Sequence, residues 1–254
     1  MTTDKRDIIL QGDHICKNFG AVQAVKDVSI AFERGKMHCV IGPNGAGKTT
    51  LIDLIINRTP KTSGKVFLEG KDITDVKPYK LVDMGVCKCF QIISLFPNLT
   101  VLENVQISLI KKYGQSYSFH GMNKDYRFDE TASILEMVGM KGHMHETAAF
   151  LSYGDQKRLE IAISLAMEPK ILFLDEPVAG VARAEGYKIM ELIRKLNQEK
   201  GITVIFVEHD MDIIFNYSDV ISVLSHGELV ATDTPQSIRN NAFVQSAYLG
   251  GAAE

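Results

Sequence analysis

"MHCVIGPNGAGKTTLIDLIIN", residues 37–57, decides the fold. It reads as a buried strand running into a glycine-rich loop and then a helix. Inside it, "GPNGAGKT" fills every position of the pattern G-x-x-x-x-G-K-[ST], with Gly42, Gly47, Lys48 and Thr49 at the fixed places. Glycines let consecutive backbone N–H groups turn inward around phosphate oxygens, and a helix starting near Lys48 adds its positive dipole end. Lys48 neutralises charge on the β- and γ-phosphates, and Thr49 offers a hydroxyl to Mg²⁺. The whole run Gly42, Pro43, Asn44, Gly45, Ala46, Gly47, Lys48, Thr49 and Thr50 is therefore the expected phosphate-binding segment.

Such a loop needs an acidic partner, and "ILFLDEP", residues 171–177, supplies one. Its apolar residues bury a strand and deliver Asp175 to the carboxyl end, where open α/β sheets bind ligands. A carboxylate there holds Mg²⁺ through its water shell. Glu176 follows directly, points differently, and is placed to draw a proton from an attacking water. Gln91, after "VCKCF", offers an amide to Mg²⁺ or to that water, and His209, ending "ITVIFVEH", offers a hydrogen bond to a γ-phosphate. A lone glutamine or histidine after a strand is more often structural, so these two gain weight only as members of a set.

Outward from these motifs, strands alternate with helices, which implies a mostly parallel core sheet covered on both faces. The β-like runs flanking "NFGAVQA" suggest an antiparallel opening unit across residues 8–32. "SGKVFLEGKDIT" predicts a strand with a turn at Gly70-Lys71, and "VISVLSHGELVAT" a hairpin turning at His226-Gly227. Between 91 and about 164 no strand is visible. Helical runs there ("VLENVQISLIKK", "ETASILEMVGM") flank a polar, aromatic excursion, "YGQSYSFHGMNKDYRFD". Tyr187, Met190, Ile193 and Leu196 form one helical stripe. Lys157 and Arg158 are expected on a solvated helix face. The fold class is thus α/β, one domain over 1–254, with residues 1–90 and 165–235 as core, 91–164 as a helical arm and 236–254 as a tail.

Composition sets the outer limits. With 45% hydrophobic and 23% charged residues and a net charge of −3, the signs are interspersed and no basic block is present, which argues against nucleic acid as a partner. Cys16, Cys39, Cys87 and Cys89 lack paired metal spacing and read as core thiols of a reducing compartment. "MTTDKRDIILQGDH" has no apolar run of secretory length, and no stretch approaches the roughly 20 apolar residues of a spanning helix. Any membrane role is expected to come through a partner.

Taken in order, "GPNGAGKT", Gln91, "LSYGDQ" (residues 151–156), "ILFLDEP" and His209 resemble the ATP-binding-cassette (ABC) ATPases of membrane transporters, over nearly the whole chain. "FQIISLFPNLTVLENV", "VEHDM" and "FVQSAYLGG" are most similar to the ATPase subunits of branched-chain amino-acid importers. The resemblance implies a P-loop NTPase cassette with an antiparallel β subdomain and an inserted helical subdomain, binding ATP and Mg²⁺ and hydrolysing ATP. It makes Phe19 a platform for adenine, with a core residue as the competing view. Gln91 and its loop become the link to the permease, and His209 the γ-phosphate switch. Two cassettes close head to tail, so that Ser152 and the Gly154 N–H of one cap the ATP held by the other. Implied partners are permease subunits, a second ATPase subunit (a copy or a paralogue) and, indirectly, a solute-binding protein. The implied location is the cytoplasmic face of the inner membrane. Two rivals share the cassette: an exporter ATPase of the lipopolysaccharide-transport type, and a soluble clamp in translation or DNA repair, which usually carries tandem cassettes or basic arms.

Two departures stand out. Tyr153 occupies the place of the first signature glycine and Asp155 that of the usual glutamine. The tyrosine is tolerable if its backbone needs no positive φ and its ring lies away from phosphate. Asp155 has to point away or sit early in the helix, where the dipole favours it. Ala182 and Arg183 replace the usual acid or amide and proline of a loop that helps align the water-activating carboxylate across the dimer.

Overall fold

The computed structural model describes residues 8–89, 95–114 and 126–245. Gln91, most of the polar excursion and most of the tail motif lie outside the described residues. The elements run β1 (Ile8–Phe19), β2 (Val22–Glu33), β3 (Met37–Ile41), α1 (Lys48–Ile55), β4 (Ser63–Leu68), β5 (Lys71–Asp72), α2 (Pro78–Asp83) and β6 (Val86–Cys89). They continue α3 (Val101–Lys112), α4 (Phe128–Met137), α5 (Tyr153–Leu165), β7 (Ile171–Asp175), α6 (Arg183–Lys200), β8 (Thr203–Val207), α7 (Met211–Tyr217), β9 (Val220–Ser225), β10 (Glu228–Asp233) and α8 (Pro235–Arg239), ending in a helical turn at Ala242–Val244. They fall into two compact units, Met1–Leu81 with Leu196–Glu254, and Val82–Lys195.

In the first unit the opening strands pair as an antiparallel sheet, β2-β1-β4-β5. On β2, Val28, Ile30 and Phe32 are buried while Ser29 and Ala31 are exposed, the period-two pattern of a strand with one covered face. The turn expected at Gly70-Lys71 forms one residue earlier. Glu69 and Gly70 hold φ of 50° and 77°, and Lys71 pairs with Leu68. A two-residue hairpin loop of this type needs positive φ at both central positions, which leaves Lys71 in the ladder. The core strands are different: every residue of β3 and β8 is buried. β3 pairs in parallel with β8 and β9, and β9 pairs antiparallel with β10 through a turn at His226 (φ 49°) and Gly227 (φ 83°), as the sequence predicts. Continuous apolar strands of this kind belong to parallel sheets covered on both faces.

His38 sits in this buried strand at 1% exposure. Its Nε2 accepts from the Glu33 N–H at 2.9 Å, and its ring meets Phe32 edge-on with centroids 5.3 Å apart. Burial pushes its pKa down from 6.5 to about 4. The folded form thus keeps a neutral ring while the unfolded chain takes up a proton near pH 6.5. The stabilisation is complete above that pH and is lost as pH falls toward 4. Between pH 7 and pH 5 the loss from this one group is roughly 2 kcal/mol. Urea unfolding at the two pH values measures it, and His38→Gln should flatten that difference; an unchanged difference would assign the acid sensitivity to other groups.

In the second unit β6 pairs in parallel with β7, from Val86↔Ile171 to Cys89↔Leu174. Cys87 and Cys89 are both buried, and desolvation pushes their thiols up to about 11 and about 12, so they stay protonated. Helices α3, α4 and α5 pack on one another. Residues 95–164, where described, hold no strand beyond an isolated bridge between Thr100 and Thr147. α3 opens with a capping box: Thr100 Oγ1 accepts from the Glu103 N–H at 3.2 Å, and Glu103 Oε2 accepts from the Thr100 N–H at 2.7 Å. On α6 the buried stripe is Ile189, Met190, Ile193 and Leu196, with Tyr187 half-buried at its edge.

The expectation for Lys157 is overturned. It is 4% exposed, with its Nζ 3.8 Å from Glu160 Oε2, itself buried. α5 buries Lys157, Glu160 and Ser164 as well as Leu159, Ala162 and Leu165, so no open face remains where the lysine lies. Arg158 is also mostly covered, its Nη2 2.5 Å from Glu185 Oε1.

Candidate functional site

The glycine-rich loop of the first unit is built to hold backbone against backbone. α1 begins at Lys48, Gly47 caps it at φ 98°, and its first turn has no acidic residue. A Cβ on Gly47 would lie 2.6 Å from the Ala24 carbonyl oxygen, and one on Gly42 2.2 Å from that of Leu224. No side chain fits at either place. The Ala46 N–H donates to Pro43 O at 3.1 Å, the Gly227 N–H to Ala46 O at 3.0 Å, and the Lys26 N–H to Gly227 O at 2.8 Å. β2 and the β9–β10 turn thereby brace the loop. Ala24, Leu224 and Gly227 are invisible as site residues in the sequence, because each acts through a contact distant along the chain.

Lys48 is 7% exposed and donates from Nζ to Gly42 O at 2.7 Å and Pro43 O at 3.1 Å. Asn44, Gly45 and Thr49 are exposed, and Thr50 is partly so. A cation tethered to its own loop, exposed positions at the loop tip and an acid-free helix N-terminus together make an anion cradle. Phe19, at the end of β1, is 52% exposed with Lys17 Nζ 4.8 Å from its ring centroid, so it is not a core residue. His209 lies just past β8 and is exposed, while its neighbour Glu208 is buried and accepts from the His209 N–H at 3.1 Å. Asp210 then caps α7, accepting from the Asp212 N–H at 2.9 Å.

In the second unit β7 delivers Asp175 to its end at 6% exposure. Lys88 Nζ, from β6, lies 3.4 Å from Asp175 Oδ2, with both side chains 6% exposed. A lysine between Cys87 and Cys89 in a buried strand was the available signal for this partner. Glu176 is half-buried and holds φ 50°, left-handed backbone that costs a residue bearing a Cβ on the order of 1–3 kcal/mol. Its carbonyl accepts from the Ala179 N–H at 3.1 Å.

Ser152 caps α5. Its Oγ accepts from the Asp155 N–H at 3.2 Å and donates to Asp155 Oδ2 at 2.6 Å. Asp155 thus stands in the helix's first turn, where the dipole favours its charge. Tyr153 is the first helical residue, 42% exposed and absent from the positive-φ residues. Gly154 is buried, and a Cβ there would lie 3.0 Å from Glu185 Cγ.

The loop entering α3 is equally fixed. Asn104, 1% exposed, accepts from the Phe96 N–H at 2.9 Å and donates to the carbonyls of Phe96 and Thr100 at 3.1 and 2.9 Å. The Ala149 and Ala148 N–H groups donate to Pro97 O and Leu99 O at 3.0 and 2.9 Å. The loop is therefore laced to the segment just before Ser152, and Phe96 stands 53% exposed upon it.

A family model described as "ABC transporter" matches residues 25–179. The chain is similar to the high-affinity branched-chain amino acid transport ATP-binding protein LivG of Escherichia coli strain K12, 35% identical over 252 residues, covering 96% of this chain and 98% of that protein. Among solved structures it is similar to the ADP conformation of MJ1267, an ATP-binding cassette of an ABC transporter, at TM-score 0.85 and 33% identity, covering 96% of this chain and 99% of that one. It is also similar to a dimeric post-hydrolysis state of the cassette MJ0796 bound to ADP and Pi, at TM-score 0.76 and 29% identity, covering 89% and 99%.

Proposed function

The chain belongs to the ABC transporter family, and from that premise we propose that it is the ATP-hydrolysing subunit of an importer for branched-chain or related small hydrophobic amino acids. The observation that carries the reading is the match over 96% of the chain to a relative named for branched-chain amino acid transport. The same name, with its amino-acid cargo, favours this reading over that of a lipopolysaccharide-type exporter.

In this reading each unit contributes named groups. The loop amides from Gly42 to Gly47 and the Lys48 ammonium hold the phosphates, the helix dipole of α1 adds to their field, and Phe19 stacks on adenine. Glu176 takes a proton from the attacking water, and His209 senses the γ-phosphate. Ser152 and the Gly154 N–H cap the nucleotide of a second subunit, so that ATP joins two cassettes and departure of the cleaved γ-phosphate releases them. The dimeric state of the MJ0796 cassette supports that arrangement. Thr49, Gln91 and Asp175 offer hydroxyl, amide and carboxylate oxygens, the hard donors that suit Mg²⁺, and Asp175 is a buried carboxylate already matched to a cation. When bound, the ion neutralises charge on the β- and γ-phosphates.

No helix among the described residues is long and apolar enough to cross a membrane. The pore is assigned to permease subunits, with the loop around Phe96 as their docking segment and a solute-binding protein feeding them. The subunit then sits peripherally on the cytoplasmic face of the inner membrane. Affinity capture of the tagged chain from detergent-solubilised membranes should recover a polytopic membrane protein; recovery of ribosomes or DNA instead would sink the transport reading.

Ser152→Ala removes a hydroxyl that the monomer uses only locally, against Asp155. It should weaken ATP-dependent dimerisation severalfold while monomer affinity for ATP, read by equilibrium dialysis, stays the same. An equal fall in monomer affinity would place Ser152 at its own nucleotide.

A further inference from the structure

We infer that Tyr153 is a positioning residue for Glu176: its ring pins the loop that follows Glu176, so the residue replacing a signature glycine tunes hydrolysis in its own subunit. This rests on the assignment of Glu176 as the general base. The ring of Tyr153 lies on Gly180, where a Cβ would come within 3.1 Å of Tyr153 Cε1 and 3.6 Å of Cζ. Gly180 holds φ 79° and is exposed, and the ring covers the side of its backbone that a Cβ would fill, in the middle of the loop. Two more residues of the same helix add to the hold. Gly154 backs onto Glu185 Cγ at the 3.0 Å noted for its missing Cβ, and Arg158 Nη2 reaches Glu185 Oε1 at 2.5 Å. Residues 153, 154 and 158 of α5 thus grip the segment at 180 and again at 185.

Glu176 is the reason this grip matters. A left-handed backbone at a residue with a Cβ persists only where its surroundings over-determine it. Pro177 follows, which narrows the choices of Glu176 further. Inside the loop the Ala179 N–H holds Glu176 O, and Val178 packs on Gly186, whose Cβ would lie 3.2 Å from Val178 Cβ. Tyr153 is an anchor applied from outside the loop at Gly180. Removing its ring frees the loop at Gly180 and lets Glu176 relax from the strained backbone, which misplaces a carboxylate without removing it.

Steady-state Mg-ATP hydrolysis by the full chain tests this. Tyr153→Phe keeps the ring and should retain wild-type turnover. Tyr153→Ala should lower kcat on the order of tenfold or more while KM for ATP stays within about twofold. Gly180→Ala adds a methyl against the ring as well as left-handed strain. It should therefore cost more kcat in the wild-type background than in the Tyr153→Ala background, where only the strain remains. An unchanged kcat in Tyr153→Ala, a change confined to KM, or an equal cost of Gly180→Ala in both backgrounds overturns the inference. If Tyr153→Ala fails to fold, Tyr153→Leu, which keeps apolar bulk without the ring's reach, is held to the same outcomes. A Glu176→Gln protein with normal turnover would instead overturn the general-base assignment, and so separates the two failures.

Discussion

Glu176→Gln should lose hydrolysis by roughly 10²–10⁴-fold, the usual contribution of a positioned general base, while its affinity for ATP stays that of the wild type. The amide keeps the size and the hydrogen-bonding reach of the carboxylate but cannot take a proton. The backbone fits the assignment, although Glu69 and His226 hold nearly the same φ in ordinary turns. Glu176 holds φ 50° directly after a fully buried strand, and strain of that kind collects where geometry is set for chemistry. Single-turnover hydrolysis beside nucleotide binding separates the two effects. A variant that turns over normally would falsify the assignment, and one that loses binding as well would move Glu176 from chemistry to nucleotide capture.

Lys88→Met should destabilise the chain by about 3–5 kcal/mol, because it leaves the buried Asp175 carboxylate without its cation. Lys88 and Asp175 lie 3.4 Å apart with side chains 6% exposed, so solvent screens the pair little. Removing both charges is a different matter. Lys88→Met with Asp175→Asn removes both charges of the pair, and most of the lost stability should return. Denaturant midpoints of the single and double variants measure this. A Lys88→Met protein as stable as wild type would show that Asp175 is compensated elsewhere. Since Asp175 is also assigned to Mg²⁺, stability is read in EDTA, where only the protein's own charges contribute.

Much of this was legible because the informative signals are local. The glycine-rich loop, the buried strands and the turn at His226-Gly227 each follow from neighbours within a few residues. What escaped the sequence depends on distant partners. Lys157 looks like a solvated residue until α5 is seen to be covered on several sides. Lys88 looks like an interruption in a buried strand until β7 brings Asp175 beside it. The bracing of the phosphate loop by Ala24, Leu224 and Gly227 joins residues far apart along the chain. The oddity of Tyr153 was plain from the sequence, but the place of its ring, against Gly180, was not. Asp155 was half-legible: its place early in a helix follows from the pattern, whereas its use as partner to the Ser152 hydroxyl required the structure.

The most direct test of ATP-driven closure is sedimentation velocity of Glu176→Gln with and without ATP. The expected result is a monomer without nucleotide and a species of twice the mass with saturating Mg-ATP, with the dimer's dissociation constant raised severalfold when Ser152→Ala is added. A chain that stays monomeric at saturating ATP, or is dimeric whether or not ATP is present, contradicts the capping of one subunit's nucleotide by the other.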